Sequence, residues 1–378
     1  MKAVFQPMKC ISRHVSEFLF FSILMLPLNA SADLVKSQLN FQDEWNQIVE
    51  TKECYFCRIS GLDISGVDLD SSSLENLIIS SSRILDTDFS GSNLLNIRIG
   101  ISDLSGSDLS YSNLYRAYFD VVTLNEADIT NANFQEATLK AVYFEHTNLV
   151  ETSFDQALLD GVFFVSANLS GASFEGAALR GVSFIGADLR DVNFEQASFE
   201  NVIYNLETIL PNNFPSSNDE VYLLAPYSSA IGLESYGNDF SEQDLTGMNF
   251  RNSSMENNFS RAILDKAIFD YSNLSGSEFK GADINNSSFC AADLTFTNLE
   301  STSMRDSTLA LSNLRSADLS NAQLQGADVR GSDLRNAIVH GANFYGAIYN
   351  ADTQFPDGFD PVEAGAILSN DSPDVCSP

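Results

Sequence analysis

From Ile64 to Tyr204 a large apolar residue stands at every fifth position without a gap, 29 units in succession. No ordinary amphipathic element gives this spacing, because side chains share a helix face about every 3.6 residues and a strand face about every 2. The chain is therefore an array of short internal repeats. A repeat too short to bury its own apolar residue must stack on its neighbours to make a core, and the expected product is a solenoid.

The register can be followed along the chain. Leu104, Leu109, Leu114, Phe119, Leu124, Ile129, Phe134, Leu139, Phe144 and Leu149 mark successive units, and the residue two places before each is mostly Ser, Thr, Ala or Val. A longer period overlies the short one. Val122, Val142, Val162, Val182 and Val202 recur at intervals of twenty; Phe144, Phe164, Phe184 and Tyr204 recur beside them, and Phe134, Phe154, Phe174 and Phe194 halfway between. A four-sided coil of twenty residues turns each set into a vertical stack, with the two aromatic stacks on opposite sides. Strands about 4.8 Å apart would bring each ring against its equivalents above and below.

Stretches such as Ala132-Asn133-Phe134-Gln135-Glu136 and Ala187-Asp188-Leu189-Arg190-Asp191 resemble the A(D/N)LXX unit of the pentapeptide-repeat family. The resemblance covers about residues 54 to 356. It implies an all-β fold, a right-handed quadrilateral β-helix with four units per coil, in which the central residue and the small residue before it point inward.

The first run ends where Asn205-Leu206-Glu207-Thr208-Ile209-Leu210-Pro211 breaks the period, and a near copy, Tyr349-Asn350-Ala351-Asp352-Thr353-Gln354-Phe355-Pro356, closes the second. Two such exits predict two solenoid modules, residues 54–204 and 240–349. The second opens with Phe240, Leu245, Phe250 and Met255, then takes a four-residue step to Phe259, which predicts a local kink or shortened turn. Residues 205–239 contain Val221-Tyr222-Leu223-Leu224-Ala225-Pro226, too apolar for a flexible linker, and read as a cap on the first module's open end. An uncovered terminal coil would present unpaired backbone. Residues 33–53, carrying Leu39, Trp45, Ile48 and Val49, predict a short helix capping the other end. Residues 350–378 read as a C-terminal cap and tail, with a short helix at 361–368 and disorder beyond.

The N-terminus carries a different signal. Lys2, Lys9 and Arg13 precede an apolar run from Phe18 to Leu28, and Ala30-Ser31-Ala32 follows as a small-residue cleavage pattern. The run is shorter than the roughly 20 residues needed to span a bilayer. Residues 1–32 therefore read as a secretory signal peptide, with an uncleaved anchor as the alternative. The expectation is a mature chain starting near Asp33, periplasmic or secreted, with no membrane span after cleavage.

The formal net charge is −31. Losing the leader makes the chain more acidic still, since three basic residues leave with one carboxylate, Glu17. The two runs together amount to about 13 coils and roughly 62 Å of rod, so net charges recur about every 2 Å, against about 1.7 Å on duplex DNA. By magnitude alone this admits DNA mimicry, the mechanism proposed for members of the resembled family that protect DNA gyrase from quinolones. Within that family's geometry Asp68, Asp88, Asp108, Asp128 and Asp188 form one outward column, continued by Asn148 and Asn168. The column could bind a basic partner or weakly held divalent cations. Its plainer role is to bond neighbouring backbone and keep the rod soluble, as short polar side chains readily do.

In the same register Tyr143, Phe163 and Ile203 replace the usual Asp or Asn, with Val165 and Ile185 two positions further on. They predict an exposed apolar strip, and such strips mark contacts: with the 205–239 segment, the second module, a homodimer partner or another protein. Cys54 and Cys57 both fall in the inward phase. Without a second ligand pair or a thioredoxin-like pattern around them, they read as buried small residues, oxidised to a disulfide if the chain is exported. Cys290 and Cys376 have no assigned partner, and Cys10 lies in the leader.

Catalysis finds little support. Beyond the leader the only histidines are His146 and His340, in slots expected to face solvent, and no phosphate loop, nucleotide fingerprint or HExxH spacing is present. The sequence thus predicts a non-enzymatic scaffold with an acidic surface, no cofactor or metal, an unknown protein partner and no direct nucleic-acid binding. A DNA-mimicking inhibitor or protector of a topoisomerase is the alternative, disfavoured by an export signal that leads away from cytoplasmic enzymes.

Overall fold

The computed structural model describes residues 30–216, 218–372 and Cys376. The apolar run of the predicted leader lies outside them. The chain divides into two units between Tyr222 and Leu223.

The first unit opens with helix α1 (Ala30–Thr51). Trp45 and Ile48, three residues apart and so on one helix face, are almost fully buried, and α1 packs against strand β1 (Arg58–Ser60) at the start of the first coil. The Arg58 N–H donates to Glu44 Oε2 at 3.2 Å. Among the described residues no helix is long and apolar enough to cross a membrane.

Behind this cap the chain winds into a parallel β-helix. Strands β2 (Asp63–Ser65), β3 (Ile78–Ser80), β4 (Arg83–Leu85), β5 (Arg98–Asp103), β6 (Tyr118–Thr123), β7 (Thr138–Tyr143), β8 (Leu158–Asp160), β9 (Ala178–Arg180) and β10 (Ser198–Glu200) follow. They form one parallel sheet whose main path runs β1-β3-β5-β6-β7-β8-β9-β10. The register offset is twenty residues throughout: Ile59 pairs Ile79, Ile99 pairs Phe119, Leu139 pairs Leu159. The remaining sides are held by single bridges at the same offset, as in Asn93–Asn113–Asn133. Every coil therefore satisfies its amides from its neighbours: Leu104 N–H donates to Thr123 O at 2.8 Å and Asp108 N–H to Thr87 O at 3.0 Å.

The five-residue period has a backbone cause. Two places after each inward residue the chain takes a left-handed conformation, as at Gly106 (φ 71), Tyr111 (φ 57) and Arg116 (φ 57), and turns a corner. Four corners close one coil. Glycine adopts this conformation freely, whereas the β-branched Ile101 (φ 48) and Val121 (φ 57) are genuine outliers there.

Inward positions fill the interior. Phe144, Phe164 and Phe184 stack face to face at 5.1 and 5.4 Å, and Phe154 and Phe174 at 4.9 Å. The two stacks come from opposite sides and meet edge to face, with Phe154 5.8 Å from Phe164 and their planes 73° apart. Strand β11 (Val202–Asn205) then ends the regular coils. At this exit Asn205 Oδ1 accepts from Gly186 N–H at 2.9 Å and Glu207 N–H at 3.2 Å, while Thr208 Oγ1 donates to Phe184 O at 2.8 Å. The Asn side chain replaces the backbone carbonyl that the next coil would have supplied. Phe214 closes the end against Phe194 and Tyr204 at 5.8 and 5.1 Å.

After strand β12 (Val221–Leu224), the second unit's coil begins near Ala225, not at Phe240. Ala225, Ala230 and Ser235 precede Phe240 at the same five-residue spacing and are all buried. Ala230 N–H donates to Asn249 O at 2.8 Å. These inward residues are small or polar, so the apolar pattern does not reveal them. Strand β13 (Glu234–Asp239) pairs β14 (Ser254–Asn258) with a register shift between Tyr236 and Asp239. The bridges Asp244–Ile263 and Asn249–Ile268 then span nineteen residues, which is the predicted shortened turn. From Asn258–Glu278 to Asp328–Ile348 the offset is twenty again.

The second exit repeats the first. Asn350 Oδ1 accepts from Gly331 N–H at 2.9 Å and Asp352 N–H at 3.2 Å, and Thr353 Oγ1 donates to Val329 O at 3.0 Å. The predicted helix at 361–368 is not formed. Asp360 Oδ1 takes the Val362 and Glu363 amides into a turn, and Gly365 (φ 79) leaves the helical path. Strand β16 (Ile367–Leu368) then pairs in parallel with β15 (Ile348–Tyr349).

Candidate functional site

The acidic column exists as a column. Asp68, Asp88, Asp108, Asp128, Asn148, Asn168 and Asp188 are successive bridge partners up one side of the first unit. One carboxylate oxygen of each of Asp88, Asp108 and Asp128, however, is used within the chain. Oδ1 of Asp88 accepts from Ser90 N–H at 2.8 Å, that of Asp108 from Ser110 N–H at 2.8 Å, and that of Asp128 from Thr130 N–H at 3.0 Å. The side chain two places upstream thus fastens the backbone where the corner begins, which explains why the repeat favours Asp or Asn in that slot. At the two ends cations take part. The Lys52 ammonium, assisted by the Asp70 N–H, holds the Asp68 carboxyl down to about 2, and the Arg190 guanidinium, whose Nε lies 2.9 Å from Asp188 Oδ1, lowers that of Asp188.

The apolar strip is not an exposed surface. Phe163, Ile185 and Ile203 are 5, 5 and 2 % exposed, and Tyr143 and Val165 are half-buried. Part of the reason is local: the Tyr143 and Phe163 rings stack at 4.8 Å, nearly parallel, in one bridge column with Ser183 and Ile203. Part is long-range, because the chain leaving β11 returns and Val202 N–H donates to Glu220 O at 2.9 Å. Ser183, also in that column, is fully buried.

The cysteines are brought together in two pairs. Cys54 and Cys57 form a disulfide, with the Cys57 N–H donating to Cys54 Sγ at 3.1 Å. Cys54 is buried, as its inward phase predicts, but Cys57, in the same phase, is only half-buried. Both line an open groove of about 470 Å³, together with Gln47 and Thr51 of α1, Tyr55 and Ser73. The carboxylates of Glu53 and Glu75 border the same groove. On the loop between the cysteines Tyr55 and Phe56 are 71 and 62 % exposed, their rings 4.4 Å apart. Neither aromatic follows from the five-residue pattern.

Cys290 and Cys376, unassigned from sequence, form the second disulfide. Cys290, Ala310 and Cys376 make a small buried cluster, and Tyr271 Oη donates to Cys376 O at 3.2 Å. Arg330 Nη1 donates to Ser372 O at 3.1 Å, so the tail predicted to be disordered is fastened at both points. Beside it Asp270, 4 % exposed, pairs with Arg251 Nη2 at 2.8 Å and accepts from Cys290 N–H at 3.1 Å. The even number of cysteines beyond the leader was the available sign of two pairs, although spacing alone leaves their connectivity open.

His146 and His340 are both exposed. Among the described residues no group of three or more His, Cys, Asp or Glu is placed to hold a metal ion.

The sequence profile described as "Pentapeptide repeat region" matches residues 127–204, and that described as "Pentapeptide repeats (8 copies)" matches 102–140, 239–283, 272–309 and 312–348. A comparison with curated proteins gives no match. Among solved structures, a pentapeptide repeat protein from Nostoc Pcc 7120 is 32 % identical over 30 % of this chain and 86 % of its own, with a TM-score of 0.21. HetL, a pentapeptide repeat protein involved in heterocyst differentiation regulation from Nostoc sp. strain PCC 7120, is 22 % identical over 76 % of this chain and 90 % of its own (TM-score 0.17). Full-length QnrB1, a plasmid-mediated fluoroquinolone resistance protein, is 13 % identical over 83 % of this chain and 94 % of its own (TM-score 0.23). With the five-residue register, the twenty-residue coils and the two sequence profiles matching residues 102–204, 239–309 and 312–348, the chain belongs to the pentapeptide-repeat family.

Proposed function

We propose that this protein is a rigid, acidic interaction scaffold that works in an oxidising compartment outside the cytoplasm and acts through its surface, without a small-molecule substrate. The observation that carries this reading is that the four cysteines beyond the leader are joined in two disulfides. Disulfides persist in secreted and periplasmic proteins and are rare where thiols are kept reduced. The basic, then apolar, then small-residue N-terminus supports the same compartment. Support for a surface role comes from the interior, which stacked side chains fill, and from a net charge of −31. A charge of that size keeps a chain soluble and favours basic partners.

Because one oxygen of Asp88, Asp108 and Asp128 is taken by the chain's own amides, the column serves the solenoid's structure before any partner. The test is fractionation of the native host followed by intact mass and thiol counting on the recovered protein. Export predicts a chain starting near Asp33 with no free thiol. A full-length cytoplasmic chain with four free thiols beyond the leader would overturn the reading and favour the topoisomerase-directed one.

A further inference from the structure

We propose that the Cys54–Cys57 disulfide is a thiol–disulfide exchange site, opened by a cysteine pair on an extended partner segment that lies in the groove between α1 and the first coil. This goes beyond the scaffold reading and shares with it the formed Cys54–Cys57 bond.

The two sulfurs are not equivalent. Both line the groove, but Cys57 is half-buried whereas Cys54 is 6 % exposed. The incoming thiolate therefore attacks the less buried sulfur, Cys57 Sγ. As its electron pair forms the new S–S bond, the Cys54–Cys57 bond breaks and its electrons leave on Cys54 Sγ. That sulfur already accepts the Cys57 N–H at 3.1 Å, a donor that favours a thiolate over a thiol. A better leaving sulfur departs faster. The partner's second thiolate then attacks its own sulfur in the mixed disulfide and expels Cys57 as thiolate. The partner dithiol becomes a disulfide, Cys54 and Cys57 become thiols, and two electrons and two protons move from partner to protein.

The surroundings fit such a segment. Tyr55 and Phe56, held out on the loop between the cysteines, present a paired aromatic anchor of the kind found at binding hot spots. Glu53 and Glu75 favour a basic residue next to the partner's cysteine. Backbone bonds hold this segment as well as the disulfide: Cys54 N–H donates to Ser73 O at 2.8 Å and Lys52 N–H to Ile48 O at 2.8 Å. Cys290 and Cys376, 2 and 6 % exposed, lack this access.

The experiment uses the full oxidised chain and glutathione as probe. Under native conditions it is titrated with reduced glutathione, quenched by alkylation and mapped by peptide mass spectrometry, with circular dichroism on the same samples. Cys54–Cys57 should open at glutathione concentrations about tenfold or more below those that open Cys290–Cys376, with the spectrum unchanged. Next, Cys54→Ser and Cys57→Ser variants are incubated with oxidised glutathione. Cys54→Ser should form the mixed disulfide on Cys57 about tenfold faster than Cys57→Ser forms it on Cys54. Equal capture, faster capture on Cys54, simultaneous opening of both bonds, or loss of the β-spectrum when Cys54–Cys57 opens would each overturn the proposal. Tyr55→Ala/Phe56→Ala keeps both sulfurs. If a dithiol peptide carrying an arginine reduces this variant as fast as the parent, the aromatic anchor is wrong.

Discussion

Replacing Asn205 by Ala removes the side chain that ends the first solenoid's hydrogen-bond ladder, and the two exits make this a controlled comparison. In the first unit Asn205 Oδ1 is the acceptor for Gly186 N–H, where in earlier coils a backbone carbonyl serves, as Ile185 O does for Ser166 N–H at 2.9 Å. The Glu207 amide sits on an exposed residue and can turn to water, so the loss centres on one half-buried N–H, about 1–3 kcal/mol. In local opening that is about a 5- to 160-fold faster amide exchange. At the second exit Gly331 N–H has two acceptors, Asn350 Oδ1 at 2.9 Å and Thr353 Oγ1 at 3.1 Å. Asn350→Ala should therefore accelerate exchange at Gly331 less than Asn205→Ala does at Gly186, and Asn350→Ala/Thr353→Val should close the difference. Asn205→Asp retains the acceptor and should stay near the parent. The assay is hydrogen–deuterium exchange of the full chain, resolved by peptide mass spectrometry. Equal effects from the two single alanine variants, or Asn205→Asp behaving like Asn205→Ala, would refute the substitution of a side-chain oxygen for a missing strand.

Phe164, fully buried and touching four rings, should lose about 3–5 kcal/mol on Phe164→Ala in denaturant unfolding, and clearly less on Phe164→Leu. Asp270→Ala, which removes a 4 % exposed carboxylate paired with the half-buried Arg251 and accepting the Cys290 N–H, should destabilise the second unit by about 1–3 kcal/mol, with Asp270→Asn milder. On chain-entropy grounds the disulfide separated by 86 residues contributes about 4.6 kcal/mol and the one separated by 3 about 1.9, so Cys376→Ser should lower the unfolding midpoint more than Cys57→Ser. For acid, Asp68 titrates at about 2 in the fold against an ordinary 3.8, so its pairing with Lys52 is intact above pH 3.8 and lost as pH falls through 2. Carboxyl NMR should place the Asp68 midpoint near 2 and move it upward in Lys52→Met.

Most of the coil was legible because its requirement is local: each five residues must supply one inward side chain and one corner, and Leu, Ile and Phe at every fifth place announce it. The same rule hid the start of the second unit. At Ala225, Ala230 and Ser235 the inward slot is filled by residues that are equally common on surfaces, and only the bridges to the next coil expose the register. The apolar strip was correctly located and wrongly exposed, since what buries Phe163 and Ile203 involves pairing that period-five counting does not contain. The acidic column was placed correctly, but its hydrogen bonds to the second following amide depend on backbone direction at the corner. For the cysteines, phase predicted that both Cys54 and Cys57 are buried, which holds for Cys54 but not for Cys57. Phase also could not show that Cys290 meets a residue 86 positions away.

The left-handed corners invert the usual meaning of glycine in a β protein. In an ordinary strand a glycine loosens the chain, but here Ile101→Gly or Val121→Gly would release a backbone conformation that L-residues resist by about 1–2 kcal/mol, more than the added freedom of the unfolded chain takes back at its lower estimate of about 0.5. Many corners hold Asn, Glu, Gln, Ser or Tyr where glycine would fit. Each solenoid therefore holds unspent tolerance at its edges, and its outward residues can drift through sequence space while the stack of rings inside stays as it is.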